Sequence, residues 1–129
     1  MPDVIWLTAR DLIQIHDDIL ASSGGLPGLR SIGAVESMLQ RAQNVAHYEE
    51  TQDFVRLAAT LGFAIAEGHV FNDGNKRTAL IAVDVFCDIN DYDVLALPLE
   101  FADRLVAIAS GAMTLGHFSD WLRARTRRR

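Results

Sequence analysis

Apolar residues recur along most of this chain at the three-and-four spacing of a helix, and polar or glycine-rich breaks separate the runs. Val4 to Leu7 predicts a short extended lead-in. Thr8, with Asp11 three residues on, predicts a helix N-cap ahead of the stripe Leu12, Ile13, Ile15, Ile19 and Leu20. SSGGLPGL (22–29) predicts a flexible glycine-rich loop. Ile32, Val35, Met38 and Leu39 mark a short second helix, and the polar, aperiodic QNVAHYEETQD (43–53) predicts an exposed loop. From Asp53 the helical period returns, with Phe54, Leu57, Ala58, Leu61, Ala64 and Ile65 on one face and Gly68 as the expected stop. TALIAVDVFCDI (78–89) is apolar on nearly every side, the pattern of a helix at the centre of a bundle, and Asn90 and Asp91 end it. A brief extended piece (92–96) leads to a helix from about Pro98 to Ala109, with proline in the first turn where its missing N–H costs nothing. A last helix carries Leu115, Phe118, Trp121 and Leu122.

Composition narrows the class. At 129 residues the chain is long enough for one domain with a core and short for two, and no repeat or linker divides it. Half the residues are hydrophobic and 22% are charged, a globular balance and not a disordered one. No apolar run reaches the roughly 18 residues of a membrane span, and Met-Pro-Asp is not the basic start of a signal peptide. Cys87, the only cysteine, sits in an apolar stretch and reads as a buried spectator, which excludes an intrachain disulfide and a thiolate metal cluster. A soluble cytoplasmic protein is expected.

The net charge of -5 hides an uneven distribution. Arg123, Arg125, Arg127, Arg128 and Arg129 form an arginine-rich tail, which leaves seven positive against seventeen negative residues before it, a net of -10. So acidic a body argues against duplex DNA as the main ligand, because phosphate contacts need distributed Lys and Arg. The tail reads as a frayed, solvated helix end, with nucleic acid or an acidic partner as the alternative contact. Lys76 is the only lysine, and it lies in the densest cluster of reactive side chains, HVFNDGNKRTAL (69–80).

That stretch spans the turn between two apolar helices, with Gly74-Asn75 opening the second. The first N–H groups of a helix have no internal partners and carry a partial positive charge, so such an end binds phosphate readily. Gly74 permits close backbone approach, Asn75 adds a neutral donor, and Lys76 and Arg77 add full charges. Asp73 would repel an anionic guest unless a cation mediates, and one carboxylate beside phosphate oxygens is the usual protein share of a Mg²⁺ site. His69 supplies an imidazole, the side chain suited to accepting a hydroxyl proton at neutral pH. Phe71 is expected to point into the core and pin the loop. Taken singly, each feature has an ordinary reading: a structural histidine, an Asp-Gly-Asn turn, solvated basic residues. However, Lys76 and Arg77 sit at the dipole end that disfavours them, a conflict an anionic ligand resolves. The spacing is not that of a Walker A loop. Base, metal carboxylate and phosphate cradle together describe phosphoryl or nucleotidyl transfer onto a hydroxyl.

HVFNDGNKRTAL also resembles the signature of the Fic/Doc superfamily, His-x-Phe-x-Asp/Glu-Gly/Ala-Asn-x-Arg, and GLRSIGAVESMLQRAQ (28–43) resembles that family's N-terminal helix. The resemblance covers essentially the whole chain. It implies an all-α fold, a compact bundle around a central buried helix placed at 75–89, as a single domain over 1–129 with the arginine-rich tail from about 123. Fic-type adenylyltransferases usually have proline after the histidine and a second glycine between Asn and Arg. Here Val70 and Lys76 stand at those positions, and the lysine is similar to the Doc (death on curing) toxins of Phd–Doc toxin–antitoxin systems. That likeness implies His69 as the catalytic base, Asp73 as the Mg²⁺ ligand, and Gly74, Asn75, Lys76 and Arg77 holding ATP. It further implies transfer of the γ-phosphate to a protein hydroxyl, with elongation factor Tu as the target class and translation arrested. A Phd-like antitoxin is the implied partner, and DNA is reached only through it. The loop carrying His47 and Tyr48 would correspond to the flap that docks the target. The Ser/Thr-x-x-x-Glu-Gly/Asn helix by which many Fic enzymes restrain themselves is missing, since Phe63 stands four residues before Glu67-Gly68, and inhibition in trans follows. Nucleotidyl transfer and a catalytically idle binding module are the alternatives.

Overall fold

The Thr8 hydroxyl accepts from the Asp11 N–H while the Asp11 carboxylate accepts from the Thr8 N–H, a reciprocal cap that satisfies two otherwise orphaned donors. From it grows helix α1 (Ala9–Ser23) of the computed structural model, which describes residues 4–49 and 53–129. Then follow α2 (Ile32–Tyr48), α3 (Phe54–Gly68), α4 (Asn75–Ile89), strand β1 (Tyr92–Val94), α5 (Pro98–Ala109), α6 (Leu115–Arg123) and strand β2 (Thr126–Arg128). The expected helical bundle is what forms, and no helix of the described residues is long and apolar enough to cross a membrane.

Three expectations change. The second helix does not stop near Leu39; it runs on through residues expected as an exposed loop, to Tyr48. Ala42 and Ala46 extend the buried face of Val35, Met38 and Leu39, so small residues carry the stripe where large ones give out. Of the segment expected as loop, residues 50–52 lie outside the described residues.

The centre of the bundle is α3 and not α4. Eleven of the fifteen α3 residues are buried, and the helix packs against α2, α4, α5 and α6. Helix α4 keeps a solvent side with Ile81, Asp84 and Asp88 exposed. Close approach of the two comes from Gly62, where an added Cβ would lie 2.7 Å from Cγ2 of Val83.

Val4 to Leu7 lies outside any helix ahead of α1, and the Asn90 side chain fastens it, accepting from the Ile5 N–H (2.9 Å) and donating to the Ile5 carbonyl (3.0 Å). The third change concerns the C-terminal tail. The arginine-rich tail, expected as frayed helix, is instead β2, antiparallel to β1 with Tyr92 opposite Arg128 and Val94 opposite Thr126. Three of its five arginines are engaged on the acidic body. Arg123 pairs with Asp53, Arg125 with Glu100, and Arg129 with Asp88 and Asp93. Arg125 also lies over the Trp121 ring, 4.7 Å from its centroid. Seventeen carboxylates and few cations upstream leave the tail abundant partners close by.

Candidate active site

The turn between α3 and α4 is built from both flanks. Gly68, the expected stop, is the last helical residue, and the left-handed position falls one residue later, on His69 (φ 49°, ψ 42°). Gly68 answers a different need: a Cβ there would lie 3.0 Å from the Met38 sulfur. A left-handed residue with a side chain costs about 1 kcal/mol or more, and such strain gathers at functional sites. His69 itself is exposed.

After it the chain dives. Val70 and Phe71 are buried, and the Phe71 ring stacks on His16 of α1 with centroids 3.9 Å apart and planes 10° apart. Asn75 reaches back to the same residue, its amide oxygen accepting from the Phe71 N–H (3.1 Å) and its nitrogen donating to the Phe71 carbonyl (2.9 Å). The neutral donor expected to face a ligand therefore spends one hydrogen and its oxygen on closing the turn. Gly74, the N-cap of α4, has φ 80° and no side chain to cap the helix. Its carbonyl accepts from the Thr78 N–H, so the amides of Asn75, Lys76 and Arg77 form the open first turn.

The Asp73 carboxylate lies across this end. One oxygen accepts from the Gly74 N–H at 2.8 Å, the other from the Leu26 N–H at 3.3 Å. These bonds, first that from Gly74, then Leu26, with Arg77 and Lys76 adding charge, hold its pKa below the ordinary aspartate value. The carboxylate stays ionised at neutral pH and is half exposed. It fits Mg²⁺ as a single hard oxygen donor, half exposed and with lone pairs beyond those its N–H partners use. No group of three His, Cys, Asp or Glu converges among the described residues, so a metal held by protein alone has no counterpart there. Lys76 is exposed. Arg77 points toward the loop after α1, donating to the Ser23 hydroxyl and the Gly24 carbonyl, 3.9 Å from Asp73.

That loop, expected to be flexible, is fitted to the site. Residues 28–30 run antiparallel to 70–72: the Arg30 N–H donates to the Val70 carbonyl (2.8 Å) and the Asn72 N–H to the Gly28 carbonyl (3.0 Å). Asn72 also donates to the Pro27 carbonyl. Gly25 leaves no space for a side chain, since a Cβ would stand 2.8 Å from Asp73 Oδ2. The His47–Tyr48 segment, by contrast, cannot be the flap over this site. It ends α2 beside the start of α3, where Glu49 pairs with Arg56, whereas the motif follows the other end of that fifteen-residue helix, about 20 Å away at 1.5 Å per residue. The residues missed at the sequence level are those that hold the loop: His16, Ser23, Asn72 and the backbone of Leu26. Only His16 leaves a signal, since it stands four residues after Leu12 and four before Leu20, on the inward face of α1.

A model of the Fic/DOC family matches residues 6–87. The chain belongs to this family. It is also 38% identical over 117 residues to "Protein kinase doc" of Escherichia phage P1, an overlap of 91% of this chain and 92% of that protein. The family match takes in α1, α2, α3, the turn and most of α4, hence every residue that builds the site. Within the Fic/Doc frame, α5, α6 and the two-stranded sheet lie beyond the matched segment.

Proposed function

We propose that this Fic/Doc chain is the toxin of a toxin–antitoxin system, a Doc-type protein kinase that moves the γ-phosphate of ATP to a hydroxyl of a target protein. The observation that carries this reading is one turn that presents an exposed imidazole, an ionised carboxylate and the open amides of a helix start. The relative from phage P1, named a protein kinase, supports the choice of kinase within the family. In this reading His69 takes the proton of the target hydroxyl as its oxygen attacks the γ-phosphorus. The bond to the β–γ bridging oxygen breaks, and ADP leaves with that electron pair. Gly74, Asn75, Lys76 and Arg77 hold the phosphate oxygens, chiefly through the α4 amides, which act as a preorganised dipole. Asp73 holds Mg²⁺, which when bound neutralises phosphate charge. Arg77 would exchange its Ser23 and Gly24 partners for phosphate.

Elongation factor Tu is the proposed target and a Phd-like antitoxin the proposed partner, in the cytoplasm, with residues 1–129 acting as one domain. The target would dock along 24–30, the segment beside the turn, and not at His47–Tyr48. ATP labelled at the α or the γ phosphate tests the chemistry. Label from γ alone supports the kinase. Label from α would show adenylyl transfer, and no label with any target would favour an idle binding module. Co-expression with the product of the adjacent small open reading frame tests the partner, with rescued growth and a raised melting temperature expected.

A further inference from the structure

Beneath the turn lies a histidine that the proposed chemistry does not use. His16 is 1% exposed, and its Nε2 stands 2.7 Å from the Asp73 carbonyl oxygen. A carbonyl only accepts, so Nε2 carries the hydrogen and donates. Among the described residues Nδ1 has no hydrogen-bond partner, and the Asp17 carboxylate, largely exposed, is 3.6 Å off. Burying an aromatic ring with a bare nitrogen costs free energy that phenylalanine at the same position would avoid. The ring already stacks on Phe71 as a phenyl group would, and a Cβ on Gly74 would sit 3.6–3.7 Å from its edge. Packing alone therefore does not account for a histidine here. What the imidazole adds is one directed hydrogen bond, to the peptide that joins Asp73 to Gly74.

A peptide is planar, so holding its carbonyl inward aims its N–H the opposite way. That N–H is the one that reaches Asp73 Oδ1 and precedes the open amides of α4. We propose that His16 is a positioning residue for phosphate transfer: through its bond to the Asp73 carbonyl it sets the 73–74 peptide, and with it the metal carboxylate and the phosphate-binding amides. This inference rests on the kinase reading for its functional consequence and on the turn geometry for its mechanism.

Two substitutions separate positioning from packing. His16→Phe keeps the ring stack and removes the donor. His16→Gln places an amide N–H near the Nε2 position and removes the ring. In the ligand-free protein, His16→Phe should shift the amide resonances of Gly74 to Arg77 and speed their hydrogen exchange, with the melting temperature unchanged or raised. With ATP, kcat/KM for ATP should fall at least tenfold, the effect of a small misplacement in a charge-stabilising site, while KM for the protein target stays put. His16→Gln should recover most of the activity despite a lower melting temperature. Activity that tracks the melting temperature across the two variants, or resonances of 74–77 that do not respond to His16→Phe, would overturn the proposal. A wild-type protein that neither binds nor transfers ATP, with the resonance shifts still present, would instead overturn the kinase reading and leave the His16 link to the turn established.

Discussion

His69 combines two properties that pull apart. It is exposed, so its loss should spare the fold, and it is left-handed, so its side chain strains the backbone. His69→Ala is expected to cut phosphate transfer by ~10²–10⁴, the usual cost of losing a general base, with the far-ultraviolet circular dichroism unchanged. Wild-type growth arrest by that variant, at equal expression, would remove His69 from the mechanism. His69→Gly should be equally inactive yet about 0.5–1 kcal/mol more stable than His69→Ala, because glycine enters the left-handed region without the Cβ clash. Denaturant melts of the pair read this difference directly. Asp73 and Arg77 divide differently. Asp73→Asn should weaken ATP binding only in the presence of Mg²⁺, whereas Arg77→Ala should weaken it with metal saturating. Calorimetry giving one unchanged affinity for all three proteins would contradict the cradle. The motif stretch falls on the turn between α3 and α4, but the sequence does not show the partners of its residues. Asn75 looked like a free donor because sequence shows an amide and not the Phe71 backbone it closes upon.

Among the helices, position in the bundle depends on small residues that hydrophobic spacing undervalues. Gly62 lets α3 and α4 meet, with Val83 and Phe118 already against it. Gly62→Ala gains helix propensity, about 1 kcal/mol in isolation, but inserts a Cβ where none fits. The clash should win, with a net loss on the order of 1–3 kcal/mol by chemical denaturation. A gain in stability would mean that Val83 moves aside cheaply. The same undervaluing hid the second half of α2, whose inward face is alanine, and promoted α4 over α3 as the centre. Large aliphatic residues on every side look central, yet α4 leaves Ile81 exposed while alanines, a threonine and a glycine complete the buried surface of α3.

At the scale of the molecule, ion pairs tie the C-terminal end to the starts of α3 and α5 and to α4. The Arg125 guanidinium holds the Glu100 carboxyl below its ordinary range, Arg123 does so for Asp53, and Arg56 for Glu49. A carboxylate whose pKa is lower folded than unfolded contributes stability above the unfolded value, and that contribution is lost as pH falls through the folded one. The melting temperature should therefore hold from neutral pH down to about pH 5 and decline below about pH 4, where ordinary carboxylates titrate. Glu100→Gln should melt lower than wild type at pH 7, and the gap should close as the pH falls below 4. A constant gap would mean that the pair contributes through packing on Trp121 and not through charge. Sequence by itself determined the helical class, the cap at Thr8, the proline start of α5, the bounds of α4 and the single turn that carries the candidate chemistry. Each of these depends on residues within about four positions of one another, the range over which helix spacing and capping act. Tertiary structure alone decided which helix lies at the centre, that the arginine tail is a strand on β1, that the glycine loop is fitted to Asp73, and that His16 underpins the turn. Those contacts join residues as far apart as 16 and 73, or 88 and 129, and their geometry exists only once the bundle has packed.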